Sequence, residues 1–93
     1  MDDEGRARAI ALLESQHTFP GPYEFRVVVR ADGVSAVVSA LAAALARPSR
    51  VDERRSGGGR WVSVRYGVEI GSADEVLETY DLLRGMDQVV LVL

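Results

Sequence analysis

Few residues in this 93-residue chain could do chemistry, and their types exclude more than they permit. There is one histidine, His17, and there are no cysteines or lysines. A metal ion needs three or four ligands, so His17 with carboxylates alone reads as a solvated linker histidine, and no metal or cofactor is expected. A serine nucleophile would need His17 delivered as base with an acid behind it, and no spacing supplies that. Schiff-base and thiolate chemistry are excluded outright. Gly57-Gly58-Gly59-Arg60 has the glycines of a phosphate loop, but it leads into a strand rather than a helix and lacks the lysine, so it reads as a hairpin turn. The expectation is a protein that is not an enzyme.

Three features remain as candidate binding elements. Asp32 and Gly33 lie in a β-α turn, where a helix N-terminus could hold a small carboxylate ligand; the competing reading is that Asp32 caps the helix and Gly33 suits the turn. All eleven basic residues are arginines, and six of them crowd between Ala46 and Tyr66 against only Asp52 and Glu53; that stretch carries +4 and the remainder −7. Arg54 and Arg55 within it suit either a solvated edge or a dock for an acidic partner. Trp61 could stack on a base, but one aromatic is not a platform; with a net charge of −3, nucleic-acid binding is disfavoured.

The elements that must position these residues are legible from periodicity. Asp3 to Gln16 reads as a short helix with an apolar stripe of Ala9, Ile10, Leu12 and Leu13. Pro20 and Pro22 then stop it and deliver an extended chain. Tyr23 to Arg30 alternates as a strand, with Phe25, Val27 and Val29 on one face. Val34, Val37, Val38, Leu41 and Leu45 recur at helical spacing after an Asp32 cap, until Pro48 ends the run. Arg50 to Ser56 and Arg60 to Ile70 form a hairpin across the three glycines. Ser72 and Glu75 form a capping box for a helix that Gly85 terminates, and Gln88 to Leu93 is a final apolar strand.

Helix followed by β-α-β-β-α-β predicts an α+β fold, a ferredoxin-like βαββαβ sandwich with a four-stranded antiparallel sheet, two helices on one face and an extra N-terminal helix. Residues 1–17 are the N-terminal helix and linker, and residues 18–93 the ferredoxin-like domain. The second and fourth strands should be edges, the second blunted by charge and the fourth bare. Val28, Trp61, Val90 and Val92 should point away from the two crossover helices, beside Arg26 and Arg65. Cover for that partly apolar face is expected from the N-terminal helix through Ile10 and Leu13, from another subunit, or from both in part. The acidic opening and the short apolar run Ala9–Leu13 lack the marks of a secretory signal or membrane span, so a cytoplasmic protein is expected.

"FPGPYEFRVVV", "GGGRWVSVRYGVEI", "EVLETYDLLRGM" and "VVLVL" resemble the YbeD-like family of small bacterial proteins of unknown function. The positions that carry the likeness are Phe19, Pro20, Tyr23, Phe25 and Arg26, then Gly59, Trp61, Ser63 and Val64, then Val92 and Leu93. The turn Arg30-Ala31-Asp32-Gly33 departs from the family pattern. The resemblance implies an ACT-like fold and brings no catalytic residues. Two functions follow as expectations: a regulatory or protein-interaction module, contacting a partner protein or a second copy through the open sheet face or the last-strand edge, or an ACT-type amino-acid sensor with ligand at Asp32 and Gly33. The interaction surface would comprise Arg26, Val28, Arg54, Arg55, Trp61, Arg65, Val90 and Val92.

Overall fold

A computed structural model describes residues 2–93. The elements run α1 (Asp3–Gln16), β1 (Gly21–Arg30), α2 (Val34–Leu45), β2 (Ser49–Arg55), β3 (Trp61–Ile70), α3 (Ala73–Arg84) and β4 (Val89–Val92). The four strands form one antiparallel sheet in the order β2-β3-β1-β4, so β1 and β3 are central and β2 and β4 are the edges.

The two central strands pair along their full length, from Gly21 opposite Ile70 to Arg30 opposite Trp61. Strand alternation then decides what is buried. Phe25, Val27 and Val29 of β1 and Val62, Val64, Tyr66, Val68 and Ile70 of β3 form one face, which packs against Val37, Leu41 and Leu45 of α2 and Val76 and Leu83 of α3. β4 reaches only Val27 to Val29, with Leu93 N–H adding a bond to the Arg26 carbonyl. No strand among the described residues flanks Gly21–Phe25 on that side. Arg26 turns its carbonyl toward β4, so by alternation Glu24 and Pro22 turn theirs the same way; at Pro22 there is no N–H to offer.

The turn into β1 depends on one glycine. A Cβ at Gly21 would collide with the backbone carbonyl of Thr18, and the Phe19–Pro20 peptide is cis. His17 is not a solvated linker residue: it caps α1 and packs half-buried on Tyr23, with ring centroids 4.9 Å apart. The segment folds back over the aromatic group of Tyr23, Phe25 and Tyr80 and carries the imidazole with it. Tyr23 and Tyr80 hydroxyls share a 2.7 Å hydrogen bond, and burial, with that bond, pushes the Tyr80 phenol well above its ordinary value.

Several local expectations change. Asp32 does not cap α2: Ala31–Gly33 forms a turn of 3-10 helix, which moves the cap position to Gly33, where no side chain serves. α2 ends at Leu45, before Pro48, because Ala46 takes a left-handed conformation with φ 49°. Gly85 closes α3 at φ −81°, so its freedom to adopt positive φ is unused. In the hairpin that freedom is used at Gly59, φ 71°, where Gly59 N–H bonds the Ser56 carbonyl at 2.9 Å.

The capping box at α3 closes on one side only. Ser72 Oγ accepts from Glu75 N–H, but the Glu75 carboxylate accepts from Gly71 N–H at 2.9 Å instead of from Ser72. It also takes a two-pronged bond from Arg47, at 2.6 and 2.8 Å, while Arg47 donates to the Leu45 and Glu69 carbonyls. One arginine thus ties the end of α2, the end of β3 and the start of α3. The Arg47 hydrogen bonds, then the Gly71 amide, hold the Glu75 carboxyl below the usual carboxylate range.

α1 has the expected limits and is capped at its start by Asp2, whose side chain accepts from Gly5 N–H. It buries no residue completely. It lies beside α3, joined by the Arg6–Asp74 ion pair at 3.0 Å, with Leu13 resting against the core. It therefore packs on the helical side and does not cross the open sheet face, as the apolar stripe had allowed. Arg6, which interrupts that stripe, reaches α3 through this ion pair.

Candidate functional site

The sheet face turned away from the helices is built by the remaining alternation. Registers place Arg50, Asp52 and Arg54 of β2 beside Gly67, Arg65 and Ser63 of β3, and these beside Glu24, Arg26 and Val28 of β1. Three rows cross the middle of the face. The first runs Asp52, Arg65, Arg26, Leu93; the second Arg54, Ser63, Val28, Leu91; the third holds Trp61 and Arg30. Successive rows are about 7 Å apart, the rise of two strand residues.

The first two rows enclose a groove of about 360 Å³ whose lining includes Arg26, Arg54 and Arg65, the acidic Asp52 and Glu53, and Ser63 and Leu93. Beyond Trp61 a shallow hollow of about 390 Å³ is bounded by Arg30, Ala31, Asp32, Arg60 and Trp61. Among the described residues, Arg54 and Arg65 have no carboxylate within 4.0 Å, and Arg26 touches only Glu24, at 4.0 Å. Arg26 and Arg65 stand directly opposite each other on neighbouring strands, an arrangement of like charges that opposes pairing. Apolar surface adjoins them: Leu91 is 51% exposed, Trp61 36%, and Val28 half-buried.

The structure thus brings Arg26, Val28, Arg54, Trp61 and Arg65 to one face. It separates Arg55, which pairs with Val62 and points to the helical side; adjacent strand residues face opposite ways, a signal already present in the sequence. Val92 is also separated. β4 carries a bulge opposite Val28–Val29: Val92 pairs with Val27 and packs on the core, Leu91 pairs with Val28, and Val89 with Val29. The extra residue at the bulge is Val90, 51% exposed. Leu91 therefore takes the open-face place expected of Val92. In an unbroken apolar run nothing in the pattern marks such a shift.

Asp32 and Gly33 do not form an open ligand cradle. Gly33 is buried, and a Cβ there would lie 2.5 Å from the Cβ and Cγ of Gln88. Arg30 N–H bonds the Gln88 carbonyl at 3.0 Å, which holds Gln88 over the turn. Asp32 itself is exposed at the rim of the Trp61 hollow. No cluster of three or more metal-ligating side chains occurs among the described residues, and no described helix is long and apolar enough to cross a membrane.

Comparison with known proteins agrees with this architecture. The solution structure of protein HP0495 from H. pylori, a structural-genomics target, superposes with a TM-score of 0.72; it is 20% identical, and the match covers 83% of this chain and 85% of that one. At that identity the likeness concerns the fold. No curated protein matches the sequence. The model of a family described as protein of unknown function (DUF493) matches residues 14–93, which takes in every motif from Phe19 to Leu93 noted in the sequence. The chain belongs to this family, DUF493 or the YbeD family, whose function is unknown.

Proposed function

We propose that the protein is a non-enzymatic regulatory or interaction module of ferredoxin-like build that works by docking another protein on its open sheet face. The observation that carries this reading is the juxtaposition on that face of exposed apolar side chains, Leu91 and Trp61, with Arg54 and Arg65, which have no ion-pair partner among the described residues, and Arg26, whose one contact is the long pair with Glu24. The strand order β2-β3-β1-β4 supports the ferredoxin-like description, with α2 and α3 covering the opposite face. A chain without cysteine suits the reducing cytoplasm. Amino-acid sensing at the β-α turn is the weaker reading, because Gln88 fills the space above Gly33.

The test is site-directed photo-crosslinking in cells, with a photoreactive phenylalanine analogue replacing either Ser63, at the centre of the open face, or Glu78, exposed on α3. The reading expects a discrete protein adduct from position 63 and none from position 78. Adducts from 78 alone, or from neither, would overturn it. A thermal-shift screen against amino acids should leave the melting temperature unmoved; a saturable rise with one of them would favour sensing instead.

A further inference from the structure

We propose that the segment docked on the open face is acidic, with carboxylates seated on Arg26, Arg54 and Arg65 and apolar side chains resting on Val28, Leu91 and Trp61. This rests on the docking reading and names the chemistry of its partner. Arg26 and Arg65 face each other across β1 and β3, and Arg54 stands one row further along, opposite Ser63. Three arginines therefore line one groove of about 360 Å³ against two acidic residues, Asp52 and Glu53, which leaves it net basic, with the Ser63 hydroxyl as a further donor. A guanidinium presents two parallel donors that match a carboxylate, and a carboxylate bridging Arg26 and Arg65 would relieve their mutual repulsion. With a segment seated, the apolar neighbours would exclude water on one side and so strengthen such a pair relative to one on an open surface.

Other occupants fit less well. Two copies meeting symmetrically through this face would set the same arginines against one another. A nucleic-acid strand needs several stacking aromatics and a continuous basic track. The face offers one indole, and Glu24 and Glu69 bound the basic strip at its far end, with Asp52 beside Arg65. From the Arg26–Arg65 row to the Arg30–Trp61 row is four strand residues, about 13 Å, so a short segment spans the site: about four extended residues or nine helical ones.

The experiment measures fluorescence anisotropy with a labelled twelve-residue peptide, Glu-Leu-Glu-Ser repeated three times, its lysine-for-glutamate counterpart, and a twelve-nucleotide oligouridylate. The wild-type chain should bind the glutamate peptide and quench its single tryptophan, Trp61, and should not bind the lysine peptide. The double substitution Arg26→Glu/Arg65→Glu should weaken binding at least tenfold and transfer affinity to the lysine peptide; Arg26→Gln/Arg65→Gln should give a smaller loss in the same direction. Equal binding of both peptides, undiminished affinity in both double variants, or tighter binding of the oligonucleotide would overturn the proposal. The crosslink at position 63 separates the two readings. An adduct that persists in Arg26→Glu/Arg65→Glu refutes an acidic partner while leaving docking intact, whereas absence of any adduct in the wild type refutes docking itself.

Discussion

Tyr66 offers the sharpest test of the core. Its side chain is 1% exposed on the helical side of β3, between Phe25 of β1 and Val51 of β2, and its hydroxyl has no hydrogen-bond partner among the described residues. Burying such a group without a partner costs about 1–3 kcal/mol. Tyr66→Phe removes that cost, keeps the ring and forfeits only the dispersion contacts of one oxygen, about 0.5–1 kcal/mol. The variant should gain about 1 kcal/mol. In a domain of this size that corresponds to a rise in Tm of roughly 4–8 °C, and in urea to a midpoint about 0.5–1 M higher at unchanged slope. Tyr80→Phe is the control: it breaks the 2.7 Å bond to Tyr23 and should lose about 1 kcal/mol. Thermal and urea unfolding followed by circular dichroism reads both. If Tyr66→Phe is destabilised by 1 kcal/mol or more, the hydroxyl is bonded and the reasoning fails.

Three further predictions concern single contacts. Gly33→Ala should cost about 1–3 kcal/mol through its clash with Gln88, and Gln88→Gly should restore most of the loss in the double variant; additive losses in a urea-unfolding cycle would refute the contact. The bulge in β4 predicts that Val92→Ser costs about 1–2 kcal/mol whereas Leu91→Ser changes stability by less than about 0.5 kcal/mol; the reverse order by the same assay would restore the unbulged register. The Glu75 carboxyl is depressed in the folded state, so its contribution is complete above the unfolded value near 4.5 and is lost as pH falls through the lower folded value. The stability difference between wild type and Glu75→Gln should be constant above about pH 5.5 and shrink below pH 4.5, and a gap that stays constant into acid would contradict the Arg47–Glu75 assignment.

Much of the architecture was readable because it depends on repetition. The alternation of Val62 to Ile70, the helical stripe from Val34 to Leu45 and the glycines at 57–59 each identify an element, and their order gives the central and edge strands. The unreadable parts depend on single long-range contacts. Arg47 finds Glu75 and Gln88 finds Gly33 only once the chain is folded, and neither pairing leaves a periodic trace. The bulge at Val90 is hidden because its neighbours are all apolar, so a shift of one residue changes the face without changing the pattern. Of the candidate site, Arg26, Val28, Arg54, Trp61 and Arg65 follow from strand alternation alone. Leu91 could not be found before the register was known.

Gly21–Phe25 of β1, which no described strand pairs with on the β4 side, bears on self-association. An uncovered strand invites a second molecule to continue the sheet, and repeated addition of that kind leads to fibres or precipitate. Here an incoming strand would meet the Pro22 carbonyl with no donor beside it and then the Glu24 side chain, so one rung of any intermolecular ladder is missing and the next lies beside a charge. Pro22 and Glu24, at the mouth of the first strand, would on this geometry disfavour such assembly.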